Sequence, residues 1–238
     1  MTSRLRQIVL DFDGVIAGGT NRAYIATYID AILSLGIDLP EREIEAGIVR
    51  HWGESPRREL AGVLGPSHVR LDEALDHYQR HIDERLLRNA RPLPGAVDAV
   101  KRLAAEYRLY LVSGMGAAPL RRIVERFGVA GCFKAVISTS DTDLPERQKA
   151  TGYHLSELCR RQGLLAGETL CVGDAPSDIA MARSCGVAVA VVLTGSLDRA
   201  AALDLEADWV VSSLARLSHY LVKNSNRKCT PITAKHRG

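Results

Sequence analysis

Short β-branched apolar runs recur along this chain with helical patterns between them, and that alternation restricts the fold more than any other feature. The runs cover residues 7–10, 109–112, 135–137, 169–172, 187–193 and 209–211. Amphipathic stretches at 95–106, 117–127, 153–161 and 177–184 separate several of them. Repetition of this kind predicts an α/β fold, a parallel sheet with helices on both faces. One gap breaks the rhythm. Residues 16–91 carry no strand pattern but four helical ones, at 24–35, 41–49, 57–64 and 71–87. A parallel crossover needs only about a dozen residues, so this stretch reads as a helical insertion beside the end of the first strand. Pro92, Pro94 and Gly95 punctuate the return. The expected organisation is a core of 1–15 and 92–222, a helical cap over 16–91, and a basic tail over 223–238. The tail has no apolar period and is expected to be disordered.

A chain of 238 residues can form one large domain or a core carrying a smaller insertion. With 46% hydrophobic and 25% charged residues it has the make-up of a soluble globular protein. A net charge of only +3 leaves no footprint for nucleic acid or a membrane surface. Cys132, Cys159, Cys171, Cys185 and Cys229 are scattered without metal-type spacing, as expected of reduced thiols. The apolar run at 187–193 is too short to span a bilayer, and no signal-peptide pattern precedes Asp11. A cytoplasmic location is the expectation. Nothing in the sequence speaks to oligomeric state.

The chemistry gathers where the strands end. Asp11-Phe12-Asp13-Gly14-Val15 follows the run Ile8-Val9-Leu10. Side chains at i and i+2 of an extended segment share a face, and strand carboxyl ends form the crevice in which α/β sheets bind ligands. Two neighbouring carboxylates repel unless a cation, a shared proton or hydrogen bonds offset the cost. A hard divalent cation beside a carboxylate nucleophile meets that need; a solvated acidic turn is the plain alternative. The run at 109–112 leads into Ser113-Gly114, a hydroxyl and an exposed N–H suited to a phosphate oxygen, or simply a helix cap. The run at 169–172 leads into Gly173-Asp174-Ala175-Pro176-Ser177-Asp178. One acid there satisfies a helix cap, and a second at this spacing suits a cation. Lys149 lies in a polar stretch before the 153–161 helix. Most lysines are solvated surface charge, but a cation here would offset both the carboxylates and a phosphoryl group.

Asp11-x-Asp13-Gly14-Val15, Ser113-Gly114, Lys149 and Gly173-Asp174-x-x-x-Asp178, in this order, resemble the haloacid dehalogenase-like (HAD) hydrolase superfamily. The likeness runs from about residue 8 to 211. It implies a Rossmann-like core, with the insertion as a type-1 cap and Pro92-Leu93-Pro94-Gly95 as the return to the core. It further implies that Asp11 is the nucleophile and that Asp13 exchanges protons with the leaving group and water. Ser113, Gly114 and Lys149 would hold the phosphoryl group. Asp11, Asp13 (through its backbone carbonyl) and Asp174 would ligate Mg²⁺, with Asp178 close by. Two departures stand out. Ile16-Ala17-Gly18-Gly19-Thr20 replaces the acid and hydroxyl that many relatives carry, and Ala150 follows Lys149 where proline is common.

The cap segment from His51 to Leu60 resembles the specificity region of phosphoglycolate-phosphatase-like members. Trp52, Arg57 and Arg58 are the candidate specificity residues, an arginine being able to clamp an anionic leaving group. The implied function is an Mg²⁺-dependent phosphatase acting on a small phosphorylated metabolite. A sugar phosphomutase of the same superfamily is the alternative, disfavoured by Trp52 where mutases carry lysine. A dehalogenase is disfavoured by Asp13. A receiver-like phosphoacceptor module has no place for the insertion or for Gly-Asp-x-x-x-Asp.

Overall fold

A computed structural model describes residues 4–139 and 147–224. Strand β1 (Gln7–Leu10) is buried throughout and ends at Asp11. A two-residue strand, β2 (Ala17–Gly18), leads into α1 (Thr20–Leu33), α2 (Glu41–Val49), α3 (Pro56–Leu64) and α4 (Leu71–Asn89). Strand β3 (Arg91–Pro92) leads out of them. The chain then alternates through α5 (Ala96–Ala104), β4 (Arg108–Ser113), α6 (Ala117–Arg126) and β5 (Phe133–Ser138). It continues through α7 (Tyr153–Gln162), β6 (Thr169–Gly173), α8 (Pro176–Ser184) and β7 (Ala188–Val192). The last elements are α9 (Arg199–Asp204), β8 (Trp209–Val211) and α10 (Leu214–Lys223).

Six strands form one parallel sheet in the order β5-β4-β1-β6-β7-β8. Because side chains alternate across a strand, each strand feeds two cores. Leu10, Leu111, Val172 and Val192 face one core with helix residues such as Val100, Leu120 and Leu217. Val9, Val112, Cys171 and Val191 face the other with Leu155, Ile179 and Ala202. Burial on both sides is why these strands read as near-continuous apolar runs.

The order of strands places the chemistry. After β1 the chain crosses to β4 and β5 on one side, then to β6, β7 and β8 on the other. The carboxyl ends of β4, β1 and β6 therefore meet at the switch point, where such sheets open a crevice. In register, Leu10 lies opposite Leu111 and Val172, so Ser113 and Asp174 stand one residue beyond the level of Asp11 at the neighbouring strand ends.

The insertion differs from expectation at its roots. Ala17 pairs with Pro92 and Gly18 with Arg91 in an antiparallel ribbon, and Leu93 N–H donates to the Ile16 carbonyl at 2.9 Å. The two linkers are thus tied together across the base of the helices. A two-residue strand has no periodicity to read, which is why the sequence shows only helix over 16–91. At the other end of the chain, α9 and α10 also lie outside the sequence reading. Helix α10 had a legible signal: Leu214, Leu217 and Leu221 are buried on one face, and the Ser213 hydroxyl accepts from Arg216 N–H. It carries order through Lys223, so the core reaches past the expected boundary. Most of the expected disordered tail, 225–238, lies outside the described residues, as does Cys229; Cys132, Cys159, Cys171 and Cys185 are free thiols. Among the described residues no helix is long and apolar enough to cross a membrane.

Inside the inserted helices, Tyr28 and Tyr78 stack with ring centroids 4.2 Å apart. The Tyr28 hydroxyl donates to Glu59, and Gly53 N–H donates to the other carboxylate oxygen at 2.9 Å. Burial nevertheless pushes the Glu59 carboxyl up to about 7, above the ordinary 4.5. An acid whose folded-state value is raised is most stabilising while both states hold the proton. As pH rises through 4.5 the unfolded chain ionises first, and folding stability falls until the folded carboxyl also ionises near 7. The fall is on the order of 3 kcal/mol. Denaturant unfolding of Glu59→Gln between pH 4.5 and 8 should lack this slope; an unchanged slope would place the titration elsewhere.

Candidate active site

Asp11 follows directly from the buried β1, its N–H donating to the Val172 carbonyl at 2.8 Å. Its side chain is only 5% exposed, and Lys149 Nζ donates to its Oδ1 at 2.6 Å. The same ammonium lies 2.8 Å from Asp178 Oδ1. Burial opposes a charged lysine, but Asp11 and Asp178 more than offset it and hold the ammonium well above its ordinary range. Asp178 is anchored from behind: its Oδ2 accepts from the N–H groups of Asp174 and Ala175 at 3.2 and 3.1 Å. It therefore caps the start of α8 with one oxygen and orients Lys149 with the other. Asp178 thus combines a helix cap with an ion pair to Lys149.

Asp174 is cradled by residues that the motifs did not include. Its Oδ2 accepts from Ser196 N–H at 2.7 Å and from the Ser196 hydroxyl at 3.1 Å. Thr194 Oγ1 donates to the Gly14 carbonyl at 2.5 Å, tying the loop after β7 to the turn after β1. Gly14 has φ +71°, and a Cβ there would sit 2.5 Å from Asp174 Cγ, so only glycine fits. Thr194-Gly195-Ser196 follows the run at 187–193 just as the other motifs follow their strands. The signal was present, but nothing in the sequence says that this strand end turns back over β6.

Asp11, Asp174 and Asp178 each place a carboxylate oxygen within 4.8 Å of the others. Burial pushes the Asp11 carboxyl well up and raises that of Asp174, with Asp178 adding repulsion to both. Burial also raises Asp13, to about 6, against the lowering effects of the Thr20 hydroxyl and Lys149. Its Oδ1 is buried without a hydrogen-bond partner among the described residues. Four carboxylates thus face one ammonium. An all-oxygen donor set with excess negative charge fits a hard divalent cation, and Asp11, Asp174 and Asp178 are the group that could hold one. Asp13 stands beside this trio, and its carboxylate is not part of it.

The group opens into a cavity of about 330 Å³ roofed by the inserted helices. Asp11, Asp13, Lys149, Asp174 and Gly114 line its floor. Ser113 lies just beneath, fully buried, its Oγ accepting from Met115 N–H at 3.1 Å. Thr139, which the sequence reading missed, lines the floor instead. Trp52 lines the roof, edge-on to Tyr24. The expected arginine clamp is not there. Arg57 pairs with Asp72, and Arg58 with Glu54 at the cavity rim, and neither arginine lines the cavity itself. Which residues of the first turn of α3 line the cavity is something that motif spacing does not reveal.

Residues 5–186 match the haloacid dehalogenase-like hydrolase family. A phosphoglycolate phosphatase of Mesorhizobium japonicum is 30% identical over 206 residues, spanning 81% of this chain and 84% of that protein. Another, from Nitrosospira multiformis, is 27% identical over 93% of this chain and 97% of its own length. The solved structure of a haloacid dehalogenase-like hydrolase from Streptococcus pneumoniae superposes with a TM-score of 0.75 at 16% identity, covering 91% of this chain and 98% of that one. Motif order, strand-end placement and the match across residues 5–186 agree, and the chain belongs to the haloacid dehalogenase-like hydrolases.

Proposed function

We propose that this hydrolase is an Mg²⁺-dependent phosphatase that cleaves compact phosphate monoesters through an aspartyl-phosphate on Asp11. The observation that carries the proposal is the Asp11 carboxylate on the floor of a roofed cavity, 2.6 Å from a buried lysine and beside two further buried acids. Asp11 and Asp174 would hold the cation, which when bound offsets phosphoryl charge and their own repulsion. Lys149 would supply a second positive charge beside Asp11.

The chemistry asked of the side chains is balanced. An Asp11 oxygen attacks phosphorus, the ester P–O bond breaks, and the leaving alkoxide takes a proton from Asp13. Water then attacks the phosphoryl group, giving a proton back to Asp13, and the acyl–phosphate P–O bond breaks to release phosphate and free Asp11. Asp13 lies on the same floor, as that exchange requires. The relatives' substrate, phosphoglycolate, belongs in the first panel of esters, beside an aryl phosphate. Phosphate release should need Mg²⁺, stop in excess chelator and return on adding Mg²⁺. Ca²⁺, with its looser and larger coordination, should substitute poorly. Full turnover in chelator would overturn the metal assignment.

A second prediction follows from the cradle. A Cβ on Gly195 would lie 1.8 Å from Asp174 Oδ2, so Gly195→Ala must swing the carboxylate off Ser196. Losing an outer hydrogen bond to a metal ligand costs about 10–100-fold in affinity. The Mg²⁺ concentration giving half-maximal activity should rise by about that factor. An unchanged requirement would show that Asp174 does not carry the metal.

A further inference from the structure

The roof of the cavity has a chemical character that the match to phosphoglycolate phosphatases does not predict. Among the described residues that line the cavity, Lys149 is the sole cation, and it is already paired with Asp11 and Asp178. The roof is instead aromatic and acidic. Tyr24, Tyr28, Trp52 and Tyr78 contribute rings, and Glu59 and Asp83 contribute carboxylates. Neither acid has an ion-pair partner among the described residues. Glu59 is 5% exposed, held by Tyr28 and by Gly53 N–H rather than by any positive charge. Burial raises the carboxyl of Glu59 and also that of Asp83, where the Arg122 guanidinium opposes the rise. Glu54 also lines the roof, its charge shared with Arg58 and His51.

A carboxylate on the leaving group would have to enter this roof against acids, and no basic side chain lines the roof among the described residues. An ammonium meets the opposite conditions. Aromatic rings attract cations through their quadrupole, more strongly in a desolvated site, and an adjacent carboxylate adds direct attraction. Bringing in a cation would also relieve the cost of a buried acid that has none.

We propose that the alcohol released by this phosphatase carries a positive charge. The substrate is the phosphate monoester of a small amino alcohol, its phosphoryl group over Asp11 and its ammonium against the Tyr24–Trp52 rings and Glu59. The inference rests on the phosphatase reading above and specifies the leaving group that the site takes.

The test compares kcat/KM for ethanolamine phosphate, choline phosphate, glycerol phosphate, phosphoglycolate and p-nitrophenyl phosphate, all with Mg²⁺. At least one of the two ammonium esters should exceed both glycerol phosphate and phosphoglycolate by about tenfold or more. Glu59→Gln should shrink the ratio of ammonium to neutral ester several-fold. Asp83→Asn, a change at an exposed position on α4, should shrink it in the same direction and serves should Glu59→Gln fold poorly. Equal or better turnover of phosphoglycolate or glycerol phosphate, with the aryl ester still cleaved, overturns this inference and leaves the phosphatase reading intact. A preference for ammonium esters that neither variant alters also overturns it. Failure to cleave every ester, the aryl phosphate included, overturns the phosphatase reading and this inference with it.

Discussion

Asp11→Asn should leave a folded protein that releases phosphate at least about 10³-fold more slowly and accumulates no phosphoenzyme. The amide is nearly isosteric but cannot attack phosphorus, and removing a covalent nucleophile ordinarily costs several orders of magnitude. Folding should survive for a reason visible in the site. Asp11 is crowded by Asp13, Asp174 and Asp178, all of which raise its carboxyl, so neutralising it relieves repulsion. Lys149 keeps Asp178 as a partner at 2.8 Å. The metal-free variant should therefore melt no lower than the parent. Rapid quench with a ³²P-labelled ester reads the intermediate, and thermal melting reads the fold. Turnover within tenfold of the parent would show that the covalent route through Asp11 is wrong.

Lys149→Met should cost more in stability than any other single change at this site. The ammonium is buried between Asp11 and Asp178 and is the one cation on the cavity floor among the described residues. Removing one partner of a buried ion pair leaves uncompensated charge, at about 3–5 kcal/mol. In a chain of this length that corresponds to a Tm lower by about 10 °C. The loss should be smaller when Asp178→Asn is combined with Lys149→Met, since the orphaned charge then disappears. A coupling of at least about 1 kcal/mol between the two changes is expected. Turnover should also fall by about a hundredfold or more, because a preorganised positive charge beside the phosphoryl group is lost. A stability loss below about 1 kcal/mol would mean that the ammonium is solvated and does not hold the site together.

What the sequence determined by itself about this protein was its periodicities and their punctuation. Apolar runs of strand length, with helices between them, required a parallel sheet, because only burial on both faces suits strands such as Ala188–Val192 without polar alternation. The same logic located Asp11, Ser113 and Asp174 at strand ends and marked the insertion. Lys149 was legible only through the order of the motifs, since nothing local distinguishes it from a surface lysine. Three matters were decided by tertiary structure alone. The ribbon of Ala17–Gly18 with Arg91–Pro92 joins segments more than seventy residues apart, and no local pattern encodes that pairing. Ser196 supports Asp174 because the loop after β7 folds back over β6. Glu59 lines the cavity, while Arg57 and Arg58, its neighbours in sequence, do not. A helix advances about 100° per residue, so which of three consecutive charged side chains meets the cavity depends on how α3 packs against α2 and α4.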